Sequence, residues 1–444
     1  MNREITNELL DSFETGFDSD RANALAMNAV TAKGIHDVSR NYQIESNVPH
    51  SFSISFEQGE ITNQKRSGRC WMFAALNCLR FQIIHKSNIE TFELSQNYTL
   101  FYDKLEKSNY FLENILETLD EATDSRLIAH LLSAPLNDGG QWDMLCCIVD
   151  KYGLVPKDAM PETASSSNTG EMTKYMTEKL REYACELREA YRNGCTKEFL
   201  RQRKDEMLQT IYNMLCICLG KPPKSFDFEY RDKDKNFHRD CNLTPRTFYD
   251  KYIGLKLDDY ISLINAPTAD KPYYTSYTVR FLGNVAEGRP VKYVNLPIEE
   301  LKKAAIAQLK DGEPVWFGSD VGQRSSRENG IMALSVHDVE NLFHTTFSMT
   351  KAQRLDYGES LMTHAMVLQG VNLDENGKPN RWRVENSWGK EIGKDGYYVM
   401  SDLWFDEYTY QIVVNKKYLS KEILDAYAQK PIVLNPWDPM GSLA

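Results

Sequence analysis

The sequence has no long hydrophobic run. No stretch approaches the ~18 uninterrupted apolar residues that a membrane-spanning helix requires. Residues 1–8 also lack the continuous apolar segment of a secretory signal. We therefore expect no membrane partner and a cytoplasmic location.

An excess of positive charge is missing as well, since the formal net charge is -11. Nucleic acids and anionic membranes attract proteins through clustered cations. We therefore do not expect nucleic-acid binding, although folding or assembly can still gather cations into a local patch. Residues 231–239 are locally basic, but their charges alternate in sign, which is typical of a solvated loop.

Cysteines are few, with nine in 444 residues, an odd number. Cys146 and Cys147 are adjacent, and one residue separates Cys216 from Cys218. Neither spacing matches a zinc-binding or thioredoxin-type pair. Reduced thiols in the cytosol are the simplest interpretation. We expect neither a metal nor a cofactor.

What the sequence does contain is typical of a folded protein, with 42% hydrophobic and 26% charged residues. Apolar residues at helical spacing over 168–191 and 199–215, ended by Gly194 and Gly220, predict a helical hairpin. Its stripe of Met and Tyr is interpreted as core. Strand patterns follow at 273–279, 291–296, 314–318, 364–371, 380–385 and 396–400. Early helices and late antiparallel strands predict an α+β fold.

Cys70 stands where a polar loop ending at Gly68 meets a strong helical pattern. A thiol at a helix N-terminus faces free N–H groups and the positive end of the helix dipole, so we expect a lowered pKa. The alternative is a small buried apolar residue. Gln64 lies six residues upstream, and its side-chain N–H could join the Cys70 backbone N–H in stabilising an oxyanion.

His364 opens a predicted strand far downstream, from which an imidazole could accept the thiol proton and return it to a leaving amine. The alternative is a structural histidine. Asn386 begins an Asn-Ser-Trp-Gly motif and could hold the imidazole in one orientation. Trp388 of the same motif would shield that hydrogen bond from water.

Gly139 and Gly140 form a further candidate block. Glycine lets a peptide approach the main chain closely and pair with it. A plain turn is the alternative interpretation.

These blocks, in the order Gln, Cys, His, Asn, resemble the active-site signature of papain-like cysteine peptidases, in which a Trp also follows the nucleophile. The interval between Cys70 and His364 is about twice the ~130–150 residues of secreted members. The helical segment near 165–265 accounts for most of the additional residues. The chain therefore resembles the intracellular branch of the superfamily, which contains bacterial aminopeptidase C and bleomycin hydrolase.

The resemblance implies a single papain-like unit over residues 1–444, with a large helical insertion near 165–265 that helps to hold a homohexamer together. It also implies a C-terminal arm, near 431–444, lying in its own active-site cleft. There the Ala444 carboxylate would receive the free N-terminal ammonium of a peptide substrate. The implied function is a cysteine aminopeptidase of broad specificity, with Gly139 and Gly140 binding the substrate.

The composition of the arm agrees with that role. Pro436, Pro439 and Gly441 predict an extended, non-helical segment, and the alternative is a disordered tail. A tail outside the cleft would favour an endopeptidase. A non-catalytic peptide-binding scaffold would predict loss of Cys70, His364 or Asn386, and an acyltransferase with the same residues is a third alternative.

Overall fold

The computed structural model describes residues 3–56 and 59–444, and its first half is helical. Helix boundaries follow capping side chains, such as Ser95 before the long second core helix. The helices are α1 Asn7–Ser19, α2 Arg21–Lys33, α3 Ile35–Val38, α4 Tyr42–Ser46, α5 Cys70–Lys86, α6 Gln96–Glu117, α7 Arg126–Ser133, α8 Trp142–Tyr152, α9 Ala164–Ser167, α10 Gly170–Arg192, α11 Lys197–Leu219, α12 Pro245–Phe248, α13 Ile298–Lys310, α14 Val339–Phe343, α15 Lys351–Asp356, α16 Asp402–Tyr408 and α17 Lys421–Ala428.

The second half supplies most of the strands. They are β1 Ile54–Ser55, β2 Phe226–Arg231, β3 Phe237–Leu243, β4 Tyr260–Ile264, β5 Thr275–Val279, β6 Tyr293–Asn295, β7 Val315–Ser319, β8 Ser325–Ser326, β9 Ile331–Met332, β10 His364–Leu373, β11 Pro379–Glu385, β12 Tyr397–Ser401, β13 Thr409–Asn415 and β14 Ile432–Leu434. This arrangement confirms the α+β class.

Twelve strands form one sheet in the order β14-β5-β6-β4-β13-β7-β10-β11-β12-β9-β8, with β1 beside β10. Its centre is antiparallel, as predicted, whereas β4–β6, β5–β14 and β9–β12 are parallel pairs. The central strands β4, β7 and β13 are almost wholly buried. They are buried because α5 covers one face while α13 and α16 pack on the other. The indole N–H of Trp316 on β7 donates to the carbonyl of Trp71 on α5 at 3.0 Å.

The predicted helical hairpin is present as α10 and α11, which pack on α6. Met172, Met176 and Leu187 of its stripe are buried, as expected, whereas Tyr175 and Phe199 are largely exposed. The remainder of the 165–265 segment differs from the prediction, because β2 and β3 form a two-stranded antiparallel sheet after α11.

Residues 231–239 are therefore not the predicted loop. Arg231 pairs with Phe237 at the end of the β2–β3 hairpin, and only the residues between them form the turn. Alternate residues of β2 direct Phe226 and Phe228 onto Phe248. That packing overrides the charge pattern from which the loop was inferred.

The C-terminal arm is only partly as predicted. Residues 432–434 form β14, which extends the sheet beside β5. Pro439–Gly441 then make one turn of 3-10 helix, which the prediction of a wholly extended segment missed. The turn forms because the Asp438 carboxylate accepts from the Met440 backbone N–H at 2.9 Å and Pro439 suits a first helical position.

No helix within residues 3–56 and 59–444 has the length and apolar character needed to cross a bilayer.

Candidate active site

Cys70 is the first residue of α5, as predicted, and the turn before it is held on both sides. The Gly68 backbone N–H donates to Asp138 Oδ2 at 3.0 Å. The buried Arg69 guanidinium donates to both carboxylate oxygens of Glu162, at 3.0 and 2.8 Å. These contacts fix the direction in which the helix starts, and so the position of the thiol.

His364 and Asn386 lie side by side at the ends of two paired strands. His364 opens β10, Asn386 follows β11, and the two strands pair antiparallel. His364 Nε2 lies 2.9 Å from Asn386 Oδ1. The Trp388 ring packs beside the imidazole, with 4.8 Å between centroids. Because the Asn386 carbonyl can only accept, Nε2 carries the proton in this contact and the lone pair lies on Nδ1.

Gln64 is tied to the same motif through Ser387. The Gln64 backbone N–H donates to the Ser387 carbonyl at 2.8 Å, and the Ser387 hydroxyl donates to Gln64 Oε1 at 2.6 Å. Gln64 Nε2 donates to the Ser67 carbonyl at 2.6 Å. That bond uses one of the two side-chain N–H bonds, and the other can serve an oxyanion.

The thiol of Cys70 lies against β10, where it accepts from the backbone N–H of Ala365, the neighbour of His364. Burial raises the pKa of Cys70 to about 11, although the N–H groups of Ala365, Trp71 and Cys70 itself act in the opposite direction. Burial also lowers the pKa of His364 to about 4, against the contact with Asn386. Burial therefore disfavours the charged forms of both groups.

The raised pKa overturns the expectation of a lowered one. The helix N-terminus is present, but Cys70 is only 3% exposed. Loss of hydration disfavours a thiolate more than the neighbouring N–H groups favour it.

Gly139 and Gly140 form one wall of the cleft, and the chain's own C-terminus lies along it. The Gly140 N–H donates to the Ala444 carbonyl oxygen at 3.1 Å, and the Ala444 N–H donates to the Gly140 carbonyl at 3.3 Å. A Cβ at Gly139 would lie 2.8 Å from Leu443 Cβ, and one at Gly140 would lie 2.5 Å from the Trp71 ring. Both positions therefore need glycine.

Further contacts hold the arm on its way to the cleft. Asp438 pairs with the buried Lys271 at 3.0 Å, and the Arg126 guanidinium lies 4.0 Å from the Trp437 ring centroid. The Ser442 carbonyl accepts from Gln141 Nε2 at 2.7 Å. At its end Ala444 is only 4% exposed.

Three charged residues behind the glycine wall were not predicted. Lys107 Nζ donates to the Gly139 carbonyl at 2.7 Å, and Lys104 Nζ lies 2.6 Å from Asp138 Oδ1. Burial by itself would raise the pKa of Asp138, but Lys104 and the hydrogen bonds that Asp138 accepts hold it well below its usual range. Nothing in the local pattern of α6 distinguishes these lysines from solvated ones.

Over the described ranges, no group of three or more His, Cys, Asp and Glu side chains could hold a metal ion. All nine cysteines are free thiols.

Comparison with known proteins is consistent along the whole chain. The model of the Peptidase C1-like family matches residues 4–441. Aminopeptidase C of Streptococcus thermophilus is 50% identical over 440 residues, which cover 99% of each chain. Bleomycin hydrolase of Mus musculus is 42% identical, covering 100% of this chain and 99% of its own. The crystal structure of PepW from Lactobacillus rhamnosis superposes with a TM-score of 0.98 at 52% identity and full coverage of both chains.

Proposed function

The chain belongs to the Peptidase C1-like family and is a cysteine aminopeptidase, and from this premise we propose that it releases residues of broad identity from free peptide N-termini through an acyl-enzyme on Cys70. The observation that carries the proposal is the pairing of Ala444 with Gly140. A longer peptide that extended past Ala444 would need to pair with the Gly140 backbone N–H and carbonyl, which the arm already occupies.

The arm gives a physical reason for cleavage at the end of a peptide. The Ala444 carboxylate marks the point beyond which a substrate cannot extend, because the arm already pairs with the glycine wall. A free ammonium at that point gains a charge-assisted hydrogen bond. Specificity then depends on distance from the N-terminus, so many N-terminal side chains are accepted.

In the proposed reaction, Cys70 Sγ transfers its proton to His364 Nδ1 and attacks the first peptide carbonyl. The oxyanion receives the Cys70 backbone N–H and the free side-chain N–H of Gln64. His364 gives its proton to the leaving amine as the C–N bond breaks. Water then gives a proton to His364 and attacks the thioester carbonyl. The C–S bond breaks, the N-terminal residue leaves, and His364 returns the proton to Cys70 Sγ. Asn386 keeps the imidazole oriented, and Trp388 covers that contact.

We also propose that the enzyme is a cytoplasmic homohexamer. Nine free thiols suit a reducing compartment. The helices α1 and α2, which the structure describes in full, have no buried residue. Phe13 and Leu10 of α1 are 57% and 50% exposed, and association of subunits would remove such apolar side chains from water. Light scattering is expected to give six times the chain mass, and a monomer would contradict this proposal.

The test of the activity is digestion of one peptide in two forms, with a free and an acetylated N-terminus, under reducing conditions, followed by mass spectrometry. Stepwise loss of N-terminal residues is expected from the free form, and cleavage of the acetylated form should be far slower. Cys70→Ala is the control and should cleave neither form. Internal cleavage of both forms would indicate an endopeptidase, and no cleavage by the unaltered enzyme would indicate a scaffold.

A further inference from the structure

Glu385, the residue before Asn386, is a carboxylate with no solvent-exposed side-chain surface. Its backbone belongs to β11 and pairs with Val367 of β10 and Tyr397 of β12. Its side chain turns away from the sheet toward α5. Arg80 Nη2 donates to Glu385 Oε1 at 2.8 Å, and Arg80 is itself only 1% exposed.

This carboxylate joins the segments that carry the proposed catalytic residues. Asn77 Nδ2, on α5 like Cys70, donates to Glu385 Oε1 at 2.7 Å and to Thr62 Oγ1 at 3.0 Å. Thr62 precedes Gln64 by two residues. Gln369, on the strand that His364 opens, donates to Glu385 Oε2. One side chain is thus bonded to the helix of the thiol and to the strand of the imidazole.

Stability alone is a poor reason for such a pair. Moving two charges out of water costs several kcal/mol per ion, and replacing a buried pair by neutral residues of similar volume is often neutral or stabilising. Burial raises the pKa of Glu385 even though Arg80 lies beside it. The pair does fix geometry, because an arginine and a carboxylate bond in few orientations.

We propose that Glu385 is a positioning residue, which through Arg80, Asn77 and Gln369 sets the placement of the Cys70 thiol against the His364 imidazole. The inference rests on the proposed roles of Cys70 and His364. Hydrogen bonds that join α5 to β10 control the distance between the Cys70 thiol and the His364 imidazole, across which the proton moves. Errors near 1 Å in such distances reduce rates by about 10²-fold. The hydrogen bonds of Glu385 to Arg80, Asn77 and Gln369 join α5 to β10, so substrate binding should be spared.

The test is the double variant Arg80→Met with Glu385→Gln, which removes both charges and keeps their volumes. The introduced amide can still accept from Asn77. We expect a folded enzyme with kcat lowered 10-fold to 100-fold per active site, as counted by Cys70 alkylation, and with KM within twofold. The acid limb of kcat/KM against pH should also move by at least half a pH unit, because it reports the proton-transfer pair.

Glu385→Gln alone keeps the proposal falsifiable if the double variant does not fold. It is measured at temperatures where circular dichroism shows it folded, and the same changes in kcat and pH profile are expected. The matched control is Arg188→Met, which removes another buried arginine, one that joins α10 to the end of α6. The control should leave the profile unchanged.

A purely structural role predicts a different result. Stability would fall, but folded molecules of the double variant would keep kcat and the pH profile of the unaltered enzyme, and that outcome would overturn the proposal. Failure of the proposed function is distinguishable, since it would appear as activity that survives Cys70→Ala.

Discussion

The reacting centre and the C-terminal arm meet at the cleft, but they are held by different kinds of contact. The centre is built from three distant parts of the chain, joined by bonds between buried side chains such as His364 to Asn386 and Ser387 to Gln64. The arm is held at its end mainly by backbone bonds to Gly140 and by a carbonyl bond to Gln141.

We propose that this difference separates two properties of the enzyme. Side chains at the centre would decide whether a peptide bond is broken, and the arm, through its length, would decide which bond is broken. Changes at the centre should therefore lower every kind of cleavage together, whereas changes in the arm should alter the preference for free N-termini and leave the chemistry intact.

The largest effect is expected for Cys70→Ala, which should lower kcat by at least about 10⁴-fold. The loss should be equal for substrates with free and with blocked N-termini, because the proposed acyl-enzyme is needed for both. Steady-state assays of both substrates provide the measurement. A loss of kcat confined to substrates with free N-termini would contradict the proposal that the centre acts on every kind of cleavage.

Two glutamines sharpen the comparison, because Gln64 faces the centre and Gln141 faces the arm. Gln64→Ala should lower kcat by about 10²–10³-fold, as expected for a lost oxyanion donor. Gln141→Ala should change kcat by less than about fivefold, since a neutral hydrogen bond contributes about 1 kcal/mol. Equal losses of kcat in the two variants would contradict this assignment.

Lowering the pH should reduce the stability of the fold, because His364 is buried. The pKa of His364 is lowered to about 4, so below its ordinary value of about 6.5 the unfolded chain binds more protons than the folded one. Stability is therefore lost as the pH falls from about 6.5 toward 4, by about 2–3 kcal/mol from this group. Urea unfolding at pH 7 and pH 4.5 measures the loss.

The matched variant for the acid experiment is His364→Gln, which removes the titrating group. Its loss of stability between the two pH values should be smaller than that of the unaltered chain by the same amount. Parallel losses would show that His364 is not held neutral by burial.

The smallest effect is expected at the base of the arm. Arg126→Ala removes the contact with Trp437, and a partly exposed cation–π contact contributes about 0.5–1 kcal/mol. The preference for free over acetylated N-termini should fall about twofold to fivefold, with cleavage of the acetylated peptide unchanged or slightly faster. Lys174→Ala, at the exposed contact with Tyr175, is the control. A fall in kcat for both substrates would contradict the proposal that the arm affects only the preference for free N-termini.

The sequence predicts the elements that carry Cys70 and His364 because their signals are local. A glycine before a helical pattern marks the start of α5 at Cys70, and a short, mostly apolar run marks the strand that His364 opens. The sequence alone also indicates Gly139 and Gly140 as a candidate peptide-binding pair. Their pairing with Ala444 was expected only from the family resemblance.

Features that depend on distant partners were missed. Lys104 and Lys107 read as surface lysines of an amphipathic helix until the fold places Asp138 and Gly139 over them. The pKa of Cys70 moves upward because of burial by the assembled sheet, which a helix start alone does not reveal. The β2–β3 hairpin likewise depends on a distant contact, because Phe228 packs against Phe248.

The most direct test replaces one oxygen at the end of the arm. A chain whose intact mass confirms Ala444 as its last residue is prepared by ligation with a C-terminal carboxamide instead of the carboxylate. We expect a fall of about 10-fold to 100-fold in the preference for a free over a des-amino substrate, since a hydrogen bond between charges contributes about 1.5–3 kcal/mol. Cleavage of the des-amino substrate should be unchanged. An unaltered preference would show that the Ala444 carboxylate does not bind the substrate ammonium.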